Sequence, residues 1–223
     1  MDRILRGTPG WERAIADAVQ WATRPIALDA RLTPRDSTGR VPARRFDRSH
    51  FPSARSAATL LLVYPGAEGA LTIPLTVRHA DLRAHAGEIS LPGGAVEEGD
   101  PSLEAAALRE AEEEIGIDGS KVQVAGTLDD IWIPISNFEL HPVVGTSASR
   151  PTFVRGTDEV AEIIELPVER LFGEDAVSEE LIEGSGWRLR AGAYRQGDHR
   201  IWGATARTLD MFAAVLREAG IGA

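Results

Sequence analysis

GAVEEGDPSLEAAALREAEEEIGI, residues Gly94 to Ile117, sets a glycine-rich loop directly ahead of a helix that ends in acids. Ser102 precedes Leu103-Glu104-Ala105-Ala106-Ala107-Leu108, a run of strong helix formers, and Gly116 supplies a C-cap. The spacing therefore predicts a helix over residues 102–115. At roughly 100° per residue, Glu110, Glu113 and Glu114 share an arc of about 100°, while Glu112 points the opposite way. Like charges on one face repel, and acids sit badly at the negative end of a helix dipole. Stability alone gives little reason for such a pattern. A divalent cation resolves the conflict, because Mg²⁺ prefers carboxylate oxygens, water and substrate phosphates. Taken alone, the glutamates read as a solvated face and Pro92-Gly93-Gly94 as a tight turn. Together and at this spacing, loop, helix and acids point to a metal site beside backbone that a ligand can approach closely.

Working outward, Ala57 to Tyr64 reads as a buried strand, and Pro65 to Gly69 as a turn. Leu71 to Val77 reads as a second strand, with Pro74 at an edge or bulge. Val122 to Leu128, Leu140 to Gly145 and Glu159 to Leu166 also read as strands. Residues 10–23 and Thr205 to Ala219 have helical spacing, the latter with Leu209, Phe212, Ala213 and Leu216 on one face. The elements do not alternate as regular βα units, which favours an α+β fold over a doubly wound sheet. We expect residues 1–56 to form an N-terminal helix and irregular lead-in packed on a domain spanning 57–223.

The chain has 223 residues, 43% hydrophobic and 26% charged, enough for one domain with a substantial core. It has no cysteine, so any metal is held by oxygen or imidazole. With 24 Lys and Arg against 34 Asp and Glu, the net charge of −10 disfavours a nucleic-acid backbone as partner. No apolar stretch is long enough to span a membrane, and no apolar secretory segment follows MDRILRGTPG. A cytoplasmic location is expected.

The segment Gly94 to Ile117 resembles the Nudix box, G-x5-E-x7-R-E-U-x-E-E-x-G-U with U apolar. Arg109-Glu110, Glu113-Glu114, Gly116 and Ile117 match in register, and Ala111 takes the small apolar position. Residues 95–108 put 14 positions between Gly94 and Arg109, where the pattern has 13. The first acid of the pattern is therefore open among Glu97, Glu98 and Asp100. Leu75 to Arg78 and Leu82 to Gly94 are similar to the upstream signature of the coenzyme A pyrophosphatase subgroup, with His79 and Leu91 as departures. Leu128 to Ile131, His141 to Gly145 and Ile201 to Arg207 resemble the same subgroup. The resemblance covers residues 55–216.

That resemblance implies a Nudix fold, a mixed sheet sandwiched between helices. It implies hydrolysis of the diphosphate bond of CoA or acyl-CoA, giving 3′,5′-ADP and 4′-phosphopantetheine or its acyl form. Mg²⁺ or Mn²⁺ is the implied cofactor, with Glu110, Glu113 and Glu114 as ligands and Arg109 orienting them. Glu159 is the candidate acid for activating water, ahead of Glu162 and Glu165, with a glutamate of the box as the alternative. Arg78, Arg83, His85, Gly93 and Gly94 are the candidate substrate contacts. Trp187 and Trp202 could stack on adenine, but packing in the core is the favoured reading. Two other readings stay open: a Nudix enzyme acting on ADP-ribose, NADH or another nucleoside diphosphate derivative, and a non-catalytic ligand-sensing module. A small diphosphate partner is implied, and a homodimer is the family-based expectation.

Overall fold

The computed structural model describes residues 5–42, 48–50, 53–79, 87–156, 159–184 and 187–222. Strand β1 (Arg55–Pro65) is the axis of the fold. Successive side chains of a strand point to opposite faces, and both faces of β1 are covered, so its sequence is continuously apolar. Leu61 and Val63 face one core; Leu60, Leu62 and Tyr64 face another. β1 runs parallel to β7 (Phe138–Thr146) and antiparallel to β4 (Gly93–Ala95), where Thr59 lies opposite Gly93. β5 (Gln123–Thr127) and β6 (Ile131–Ile133) pair with β7. On the other flank β2 (Leu71–Arg78) joins β1 near Tyr64, then runs antiparallel to β3 (Ile89–Ser90) and β8 (Val160–Pro167). A second sheet contains β9 (Ser178–Gly184), β10 (Trp187–Gln196) and β11 (His199–Ile201).

Three helices complete the layers: α1 (Trp11–Trp21), α2 (Leu103–Ile115) and α3 (Gly203–Glu218). Helix α2 lies over one face of β1, burying Ala106, Ala107, Ala111 and Ile115 against Leu60 and Leu62. Helices α1 and α3 share the opposite core, where Ile15 and Val19 join Leu209 and Phe212. This is an α+β architecture, a mixed sheet between helices. Beyond α1, the backbone N–H of Asp29 donates to the buried Asp210 (2.7 Å), while Arg24 and the N–H of Ile26 reach Asp129 (2.7 and 2.6 Å). Asp129, within a segment that resembles the CoA subgroup, thus anchors the N-terminal stretch.

Pro74 has a strand partner on one side only, the local edge expected for it. It lies inside β2, opposite Glu165, and the irregularity in β2 falls later, at Val77 and Arg78. Pairing of β2 with β1 covers only Leu71 and Thr72, so Pro74 sits where β1 is no longer a neighbour and a residue lacking an N–H is tolerated. Among the described residues, no helix is long and apolar enough to cross a membrane.

Candidate active site

Helix α2 begins and ends as its residues dictate. The Ser102 hydroxyl accepts the N–H of Ala105 (3.2 Å), and Gly116 closes the helix at φ 67°, in the left-handed region. Because the alanines of α2 face β1, the acids face the loop that carries Gly93 and Gly94. Gly93 pairs with Thr59, and a Cβ there would lie 2.4 Å from the carbonyl oxygen of Ala58. A Cβ on Gly94 would lie 2.5 Å from a carboxylate oxygen of Glu110. The two glycines let strand, loop and helix approach more closely than any side chain permits.

Arg109 is the hub of the site. It donates twice to Asp100 (3.0 Å each), once to Glu110 (2.8 Å) and once to the carbonyl of Ala95 (3.1 Å). Its expected partner Glu113 lies further off, at 3.5 Å. Asp100 is six residues beyond Gly94, the register of the pattern's first acid, and its side chain is 7% exposed. It also accepts the N–H of Glu97 (2.8 Å). Asp100 therefore takes the place left open in the sequence, and the extra residue falls after it. The Arg109 guanidinium holds the Asp100 carboxyl below the usual carboxylate range.

The three box glutamates differ in environment. Glu113 is exposed. Burial pushes the Glu110 carboxyl up, opposed by Arg109 and reinforced by the charge of Glu113. Glu114 is 7% exposed, and its Oε2 accepts the N–H of Gly93 (3.2 Å). Burial, with the charge of Glu110 added, pushes its carboxyl up to about 7. Among the described residues no three acidic or imidazole side chains form a ready cage for an ion. The expected convergence of Glu110, Glu113 and Glu114 is thus incomplete, because Glu110 turns onto Arg109 and Glu114 turns inward to Gly93. The donor set still fits a hard divalent cation. Two desolvated carboxylates repel each other, with one nearby guanidinium already shared with Asp100, and a cation bound through oxygens and water would relieve both.

Arg78 and Glu159 meet beside this helix. The Arg78 guanidinium donates to Glu159 (2.9 Å), and the charges of both act on Glu114. Glu165 is engaged elsewhere, by Arg150 and the Tyr64 hydroxyl, and Glu162 lies 3.7 Å from His199. Arg83 and His85 lie outside the described residues.

A pocket of about 400 Å³ adjoins the acids, sharing Arg78 and Gly93 with them. Its walls are largely apolar: Leu32, Ile89, Leu91, Ile131 and Phe138, with Trp187 and Trp202. The two indoles lie 6.1 Å apart, tilted by 41°, and line the pocket instead of entering the core. Arg207, in the first turns of α3, lines it too.

The NUDIX domain family matches residues 54–184. The chain belongs to the Nudix family. It is 39% identical over 142 residues to the uncharacterized Nudix hydrolase NudL of Pectobacterium atrosepticum, covering 64% of this chain and 73% of that one. It is 41% identical over 149 residues to NudL of Citrobacter koseri, covering 66% and 70%. Nudix hydrolase 15, mitochondrial, of Arabidopsis thaliana is 35% identical over 170 residues, covering 74% and 59%. Among solved structures, the Nudix hydrolase RenU of M. smegmatis is 25% identical with a TM-score of 0.45, covering 54% of this chain and 74% of that one.

Within the matched Nudix domain lie all the acids of the box and its loop. Part of the pocket wall lies outside it. Leu32 and Pro34 precede the Nudix match, and Trp187, Leu189, residues 202–205, Arg207 and Thr208 follow it. The Nudix box contributes the acidic cluster, while flanking sequence lines part of the pocket beside it. None of the residues outside the match was a sequence-level candidate for the site except the two tryptophans. Arg207 ends a segment that resembles the CoA subgroup, yet nothing in the sequence sets it apart there as a site residue.

Proposed function

We propose that this Nudix protein hydrolyses the diphosphate bond of CoA or acyl-CoA, releasing 3′,5′-ADP and 4′-phosphopantetheine or its acyl form. One observation carries the choice of substrate. Segments that resemble the CoA pyrophosphatase subgroup, separated in sequence, meet at one pocket: Arg78, Leu91 and Gly93 from the first, Ile131 from the second, Trp202 to Arg207 from the last. A pocket with apolar walls and two indoles suits a ligand whose reactive diphosphate lies at the acids while an aromatic or aliphatic part leaves the water.

Glu110, Glu113 and Glu114 would hold Mg²⁺ or Mn²⁺, which would supply charge neutralisation for the diphosphate and a more acidic water. The chain's own residues do the rest. Arg109, clamped by Asp100, holds Glu110 in place. The Gly93 N–H fixes the Glu114 carboxylate. Glu159, positioned by Arg78, is the side-chain base that accepts the proton of the attacking water.

The test is metal-dependent turnover of a panel of CoA, acetyl-CoA, dephospho-CoA, ADP-ribose and NADH, with products identified by mass. CoA cleaved fastest, with 3′,5′-ADP as a product, supports the assignment. ADP-ribose cleaved far faster than CoA overturns the substrate and leaves the Nudix chemistry standing. Failure on every substrate, with ligand binding retained, favours a sensing module.

A further inference from the structure

The pocket contains polar groups without partners. Among the described residues, the buried side-chain polar atoms that lack a hydrogen bond are Thr59 Oγ1 and Arg78 Nε, and both residues line this pocket. Thr59 is 8% exposed, so water does not readily compensate its hydroxyl. Arg207 lines the same pocket, and nothing among the described residues bonds to its guanidinium. It differs in this from Arg78, whose charge is met by Glu159. Gly203, Ala204 and Thr205, the first turn of α3, complete this side of the pocket, and Trp202 supplies no side-chain cap to their N–H groups. A positive helix end, an unpaired guanidinium and two orphaned polar atoms in an apolar cavity are each costly alone. An anionic ligand entering this pocket supplies acceptors for such groups.

We propose that Arg207 is a specificity-determining residue that receives a phosphate monoester carried on the part of the substrate entering this pocket, while the diphosphate lies at the acids. The assignment rests on the CoA-type reading above, since a CoA molecule carries such a group on its ribose. A monoester fits better than a carboxylate because its three terminal oxygens match a guanidinium fork together with further N–H and O–H donors. Arg78 contributes its free Nε from the side nearest the acids.

The experiment compares 3′,5′-ADP with 5′-AMP, two ligands that differ by one phosphate monoester. Binding is measured by calorimetry with the full chain in EDTA, for wild type, Arg207→Gln and Arg207→Lys. A charge-assisted contact predicts a preference for 3′,5′-ADP of about 10- to 100-fold in wild type. Arg207→Gln is expected to remove most of that preference while affecting 5′-AMP far less, and Arg207→Lys to retain part of it. The same ordering is expected in the ratio of kcat/KM for CoA over dephospho-CoA. A preference that survives Arg207→Gln, or equal losses for both ligands in the glutamine and lysine variants, overturns the proposal; so does a wild type with no preference. Wild-type turnover separates the two assignments. CoA hydrolysis with a preference insensitive to Arg207 refutes this subsite alone. Absent CoA hydrolysis with a preference that depends on Arg207 refutes the substrate assignment alone.

Discussion

Replacing Glu114 with glutamine is expected to stabilise the metal-free protein at neutral pH while abolishing turnover. The side chain is 7% exposed, and its carboxyl is pushed from the ordinary 4.5 up to about 7. A carboxyl whose folded-state pKa is raised binds more protons folded than unfolded between those two values. Stability therefore falls as pH rises from about 4.5 through about 7, and above that range the whole penalty is present. The interval of 7 − 4.5 = 2.5 units, at about 1.36 kcal/mol each, amounts to about 3 kcal/mol. Glutamine keeps the shape, and its amide oxygen can still accept the Gly93 N–H, but it has no charge to desolvate. In EDTA the variant should match wild type near pH 4.5 and exceed it by up to about 3 kcal/mol at pH 8, a urea midpoint higher by about 1 M or more. Saturating Mn²⁺ should reverse the order, since a cation that binds only the folded wild type stabilises it by mass action. Urea titrations at pH 4.5, 6 and 8, with and without Mn²⁺, read both effects. A gap that does not vary with pH, or a variant less stable at pH 8 in EDTA, would refute the reasoning that Glu114 is a desolvated carboxylate awaiting a cation.

Three further outcomes follow from the same geometry. Asp100→Asn weakens the two-pronged clamp on Arg109 and should lower kcat about 10- to 100-fold, as loss of a ligand-orienting partner does, with Asp100→Glu retaining more activity; steady-state kinetics would show otherwise if asparagine were neutral. Glu159→Gln should lower kcat more than it raises KM, and an unchanged kcat would return the base to the box helix. Gly94→Ala puts a Cβ 2.5 Å from the Glu110 carboxylate, so Mn²⁺ affinity by titration should fall while the thermal midpoint changes little; unaltered affinity would show that Glu110 does not need that position.

What the chain discloses in sequence divides along the range of the interactions. Helix α2 is legible because its determinants are local: Ser102 at one end, Gly116 at the other, alanines facing β1 and acids on the remaining arc. Strand β1 is legible because both its faces are covered, which leaves an unbroken apolar run. The strands β3, β4 and β6 are two or three residues long and owe their existence to β2, β1 and β7, so no periodicity of their own marks them. The β9–β10 pair mixes charged and apolar residues without a clean alternation, Glu179 and Glu180 being adjacent, and its register lies between strands instead of within either. Asp100 was one of three candidates by spacing, and only the turn that folds residues 97–100 back on themselves brings its carboxylate to Arg109. The same division separates chemistry from substrate choice. Metal-binding acids need a fixed relation along a single helix, which 3.6-residue periodicity displays openly. A pocket that selects a ligand gathers Leu32, Arg78, Ile131, Trp187 and Arg207 from five distant parts of the chain, and nothing local in any of them requires the others. Arg207 sits on a helix whose apolar face is plain in sequence, and the resemblance of Ile201 to Arg207 to the CoA subgroup does not single it out. Its significance comes from the lack of a counter-charge among the described residues, and absence of a partner is a property that only the tertiary structure can display.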